Sequence, residues 1–401
     1  MSLITDIASI VTRPLQGFAM ACLLLVAAGC GESAVCGGMP DEELPSPDAE
    51  CLVGFEIVVG NSAGPSIRAP QKPEGGYAPG EGYENHIDIP GRDFRILFFA
   101  ADTGKDDKLD DSRYIGQMFV ESVKPVASVN PEKKRYYVMG GMPQAHTGKI
   151  VGKQVQVVVL ANWGTEAYTN LDLKPEVTSI TGLCADAAGI YAYNAGEFPS
   201  AANLIPLFGV TNPMVLDFDA LNFAHIGTIH LLRSVAKIEV QAESGTHIKS
   251  VRLSHYNMRG YCAPTGVIRN DDYVHNDYVQ DYANTPHLVE NSVAAEPLYL
   301  NKVVNDDGRF LIYVPEYGNL QVQDDVRAKL WITFEGEEKE HTIPVEFKYY
   351  NDMPGGKKGD HFDILRNYWY KFNVTGVLGD MEVVIDVRPY SEVELEPGFG
   401  L

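Results

Sequence analysis

The residues whose types and spacing could do chemistry fall into a few clusters. ADTGKDDKLDD at 101–111 crowds five aspartates into a short stretch, and hard cations such as calcium want oxygen ligands. The aspartates lack the spacing of a calcium loop, so a charged hairpin tip is the expected role. His225 and His230 are five residues apart in a segment that turns into a strand. They are not expected to converge on one face and read as structural. PGGKKGDHFD at 354–363 has paired glycines and lysines but no strand-to-helix setting for a phosphate loop, and reads as a turn. No CxxC or Cys/His spacing suits zinc, and no HExxH or Cys/His nucleophile context occurs. Neither an enzyme, a metal nor a cofactor is expected.

The elements that carry these residues begin with an export signal. Residues 1–29 hold a positive charge at Arg13 and an apolar run from Phe18 to Ala28, and with Cys30 they end in VAAGC. That run is shorter than the roughly 20 residues a membrane span needs and reads as a lipoprotein signal peptide. Cys30 is the expected lipidated residue, with an ordinary cleaved signal as the alternative. Residues 30–50, rich in proline and acidic side chains, read as a tether. Of the six cysteines, Cys184 and Cys262 alone remain for the body. Paired or buried as free thiols, both states stay open. The formal charge of -22 argues against nucleic acid and anionic headgroups as partners.

Beyond residue 51 short apolar or alternating runs are broken by Gly, Pro, Asn and Asp. FRILFFA (94–100), QVQVVVLANWG (154–164), IHLLRSVAKIEV (229–240), RFLIYVPEY (309–317) and NYWYKFNVTGV (367–377) are examples, and each predicts a strand. TEAYTNLDL, after Trp163, is the best helical segment. The fold class is mainly β, with sandwiches expected and a seam near residues 209–227.

Two segments share one pattern. Val53, Phe55, Ile57 and Val59 lie on one face of a strand from Cys51 to Val59, and Val393, Leu395, Phe399 and Leu401 alternate likewise in YSEVELEPGFGL. Strand side chains alternate with period two, so both segments could fill the same kind of groove. An edge strand packed on its own domain is the alternative for the second.

In order and spacing, the lipobox cysteine, the strand before SIRAP, RILFFAADTGK, VVVLANWG, LLRSVAKIEV, IYVPEY, LRNYWYKFNVTG and VVIDVRPYSEVELEPGFGL resemble the fimbrillins. These are the structural subunits of type V pili, and the resemblance spans nearly the whole chain. It implies a lipoprotein that reaches the outer membrane through Cys30 and meets an arginine-specific processing protease. Cleavage would fall between Arg68 and Ala69; Arg92 and Arg95 are later alternatives. The strand bearing Val53, Phe55, Ile57 and Val59 would plug a groove until it leaves. Residues 392–401, with Val393, Leu395, Phe399 and Leu401, would be the strand donated to another copy or a related subunit.

The expected architecture is two tandem Greek-key, transthyretin-like β-sandwich domains at 51–227 and 228–401, with 51–68 removable. The expected function is a pilus subunit supporting adhesion at the cell surface. A tip adhesin, an anchor subunit, or a ligand-binding surface lipoprotein using Tyr273, Tyr278 and Tyr282 are the alternatives, and the surface ligand is not specified.

Overall fold

Strand order follows from where the apolar side chains must go. The computed structural model describes residues 51–59, 83–101, 112–126, 134–186, 191–211, 213–218, 223–242, 246–263, 294, 296–303, 308–335, 341–350, 352, 357–375 and 382–389, all within one unit, Pro45–Leu401. The chain runs through β1 (Cys51–Val59), β2 (Phe94–Ala101), β3 (Arg113–Gln117), β4 (Phe119–Val126), β5 (Lys134–Met142), α1 (Gln144–Ile150), β6 (Gln154–Ala161), α2 (Thr165–Asn170), α3 (Ile180–Asp186) and β7 (Tyr191–Asn194). It continues with β8 (Leu207–Val210), β9 (Met214–Val215), β10 (Phe223–Arg233), β11 (Ala236–Ala242), β12 (Ile248–Ser254), β13 (Arg259–Tyr261), β14 (Leu298–Tyr299) and β15 (Asn301–Lys302). The last strands are β16 (Arg309–Val314), β17 (Lys329–Phe334), β18 (His341–Glu346), β19 (Tyr368–Thr375) and β20 (Glu382–Pro389).

The protein is mainly β, with its sheets in a sandwich-like arrangement. A nine-stranded sheet runs β3-β2-β6-β8-β10-β1-β5-β4, with β9 on β6. Strands from both ends of that order, such as β2 through Ile96 and Phe98 and β5 through Tyr136 and Val138, feed one hydrophobic core, so the sheet folds over around it. Leu97 and Phe99 of β2, with Val158 and Leu160 of β6, point into a second core. Burial on both faces explains why FRILFFAA and QVQVVVLA are nearly unbroken apolar runs. The second core is closed by a five-stranded sheet, β15-β16-β11-β19-β20, and a four-stranded one, β14-β12-β17-β18. They contribute Ile238, Val240, Tyr370 and Phe372 from one side, and Val251, Leu253, Leu330 and Ile332 from the other.

The run IHLLRSVAKIEV, expected as one strand, is two. Ser234 donates to the Pro206 carbonyl, and the chain passes from the nine-stranded sheet into the five-stranded one. Division into two domains after residue 227 is retained as a proposal; that position lies inside β10. The short helix expected after Trp163 is α2. The LysLysGlyAsp part of the 354–363 stretch turns at Gly359, whose φ is +96°.

Candidate functional site

β1 is the interior strand on which the site is built. It pairs antiparallel with β5 over its whole length, from Cys51 opposite Met142 to Val59 opposite Lys134. On its other side it pairs parallel with β10, from Leu52 opposite Phe223 to Val59 opposite Leu231. Val53 and Phe55 are 0% exposed and Ile57 2%, so the odd face lies in the same core as Val138, Ile229 and Leu231.

A bulge keeps β10 in phase with that face. The register shifts between Gly54 and Phe55, from His225 to Gly227, and Gly227 takes φ +94°, a conformation open to glycine. Inward-facing residues switch from even (Ala224, Ile226) to odd (Ile229, Leu231), as an extra residue in one strand requires. The same switch puts His225 and His230 on the outward side together. Five residues apart along a strand, they stand about 16 Å from each other and share no chemistry. Among the described residues no group of three or more His, Cys, Asp or Glu could hold a metal.

The outward side of β1 is covered by rings. Gly54 is buried although it faces away from the core, because a Cβ there would stand 2.5 Å from Phe223 Cζ and 2.5 Å from Tyr137 Oη. Tyr137 meets His225 edge-on, with centroids 6.3 Å apart. Two positions on, Glu56 pairs with Arg135, and that carboxylate raises the guanidinium pKa above its ordinary value.

Ahead of β2, polar groups pin the chain at Glu84 and Asn85. Lys237, 5% exposed, lies 2.9 Å from Glu84 and 4.8 Å from the Trp369 ring centroid, and Tyr313 donates to the same Glu84 carboxylate. Arg233 is fully buried. It donates to Asn367 Oδ1 at 2.8 Å, to the Glu84 carbonyl at 3.2 Å and to Asn85. This knot was not legible in the sequence, where Glu84 and Asn85 look like loop residues.

Of the residues singled out by sequence, Val53, Phe55 and Ile57 are together on the buried face of β1, and Val59 continues its register opposite Leu231. Arg92 is exposed in a turn. Arg95 lies within β2, its guanidinium 4.4 Å from the Tyr168 ring centroid. Cys30, Arg68, Ala69, most of the aspartate stretch, Tyr273, Tyr278, Tyr282 and the segment with Val393, Leu395, Phe399 and Leu401 lie outside the described residues. Cys184 and Cys262 are both free and buried.

The class these observations define is a mainly β protein whose first described strand is seated inside a sheet. Neither a protein-family model nor a curated protein matches the chain. Among solved structures it is similar to the tip fimbrial protein Mfa3 from Porphyromonas gingivalis with C-terminal truncation, at 12% identity and TM-score 0.48 over 84% of this chain and 99% of that one. It is also similar to a fimbrial assembly protein from Parabacteroides distasonis ATCC 8503, at 14% identity and TM-score 0.42 over 84% and 97%. At these scores the functional reading rests on the chain's own residues.

Proposed function

We propose that the protein is a structural subunit of a cell-surface fimbria that polymerises by strand exchange and supports adhesion. It is exported as an outer-membrane lipoprotein through Cys30, and an arginine-specific protease cuts between Arg68 and Ala69. β1 then leaves, and residues 392–401 of another copy or a related subunit take its place.

The observation that carries this reading is the position of β1, an interior strand joined to the rest of the described body only through the segment that holds Arg68. Burial of Val53, Phe55 and Ile57 contributes on the order of 5–9 kcal/mol, so the strand holds well before cutting. Without it, β5 and β10 face each other as two unpaired edges with an apolar trough between them, a template for strand addition. Ordering a ten-residue tail costs about 1 kcal/mol or more per residue. Apolar anchors alone roughly offset this, and the two ladders supply the surplus.

The test is to cut the full chain after Arg68 and follow the product on SDS gels. Ladders of copies are expected, and none from a chain lacking residues 392–401. Persistent monomers after clean cutting, or ladders without the tail, would end the proposal.

A further inference from the structure

We propose that the lane occupied by β1 selects for a glycine followed by a large apolar residue, and that Gly398 and Phe399 of the incoming tail meet that demand. The inference rests on the strand-exchange reading above and adds the register and its cause.

The demand comes from both faces of the lane at neighbouring positions. Outward, Phe223 from β10 and Tyr137 from β5 converge over Gly54, and a Cβ at that point would stand 2.5 Å from each. A strand that brings any other side chain there must swing these half-buried rings aside and give up part of their cross-strand packing. Inward, the next residue, Phe55, is 0% exposed and sits opposite Val138 and beside the bulge at Gly227. A smaller side chain leaves a cavity there.

Laid in the direction of β1, the orientation this proposal takes, the tail can shift only by steps of two, because a single step turns its apolar face outward. Its outward residues are then Glu392, Glu394, Glu396, Gly398 and Gly400, and only the glycines fit without displacing the rings. With Gly398 at the Gly54 position, Phe399 takes the place of Phe55, Leu401 that of Ile57, Pro397 that of Val53 and Leu395 that of Cys51. With Gly400 there instead, Leu401 underfills the Phe55 site, and Phe399 must enter the Val53 site between Gly140 and Ala224. A third register puts Glu396 where Glu56 was and recovers an ion pair with Arg135. It also drives Glu394 under the rings and Leu395 into the Phe55 site. Arg135 is 40% exposed, and an ion pair so exposed contributes little, so packing decides for Gly398.

The test uses the full chain cut after Arg68, with two readouts. First, Gly398→Val should lower the yield of SDS-resistant ladders about tenfold, the effect of a modest packing loss, and Phe223→Ala in the same chain should restore it. Second, a Gly400→Cys, Thr228→Cys chain should form intermolecular disulfides on oxidation, since Thr228 lies opposite the Glu56 position on β10 and both rings stay in place. In this chain Cys22, Cys30, Cys36 and Cys51 are changed to serine, and the remaining native thiols, Cys184 and Cys262, are buried and do not compete. Ladders indifferent to Gly398→Val, no rescue by Phe223→Ala, or crosslinking of Glu396→Cys rather than Gly400→Cys to Thr228→Cys would each overturn the register while leaving strand exchange intact. Loss of the tail requirement would overturn both.

Discussion

Arg366 and Glu316 meet at 2.9 Å with 3% and 4% of their side chains exposed, and Arg366 also donates to the Cys262 carbonyl at 3.2 Å. Arg366→Met removes one member of a buried pair and leaves the Glu316 charge unmatched, which costs about 3–5 kcal/mol; a urea midpoint well below that of the parent checks this. Burial pushes the thiol pKa of Cys184 and Cys262 up to about 12 each from an ordinary 9.0. At pH 8 in the native protein both should be silent to a thiol reagent such as DTNB and react on addition of denaturant. The sign also sets an alkaline weakness. These thiols stay neutral in the fold while the unfolded chain ionises near pH 9, so stability falls as pH rises from there. Sequence left the pairing of these cysteines open because it gives residue order and not distance. Phe223 and Tyr137 over Gly54 were hidden for the same reason: the rings come from strands far apart in the chain.

Strands were legible where their pattern reported their surroundings. β1 alternates because one face is buried, and β2 and β6 do not because both are. The break at Ser234–Val235 and the bulge at Gly227 carry no such mark, since an apolar run reads the same whether or not it changes sheet. Gly227 has nothing within 4 Å of an added Cβ, so Gly227→Ala should cost only backbone strain at φ +94°, about 1–2 kcal/mol; chemical denaturation measures it. A steric collapse of the sheet is not expected. Three buried side chains and two ladders also predict that the fragment cut off at Arg68 stays bound under native conditions. It should co-elute with the body on gel filtration and separate only in denaturant or when a tail displaces it.

At the level of the whole molecule, a formal charge of -22 makes copies repel one another, and on the proposed strand exchange the tail would bring Glu392, Glu394 and Glu396 to the encounter. Ladder growth should therefore quicken between about 0.01 and 0.15 M salt, where the Debye length shortens from roughly 30 to 8 Å. Slower growth at higher salt would show that attraction, not repulsion, governs the approach.

The register of β19 and β20 also bears on whose tail fills whose lane. Pro389 pairs with Tyr368 and Trp369 with Lys237, so the tail is rooted two strands, or about 10 Å, from the start of β11. That is the Arg233 side of β10. A tail running in the direction of β1 must begin at the opposite, Phe223 side, and β10 from Phe223 to Arg233 extends about 33 Å. The contour of residues 390–395 reaches about 21 Å at most. On the proposed exchange, a tail rooted there would have to double back along β10 to serve its own lane, whereas a neighbour's tail would not, so growth should depend on how often neighbours collide.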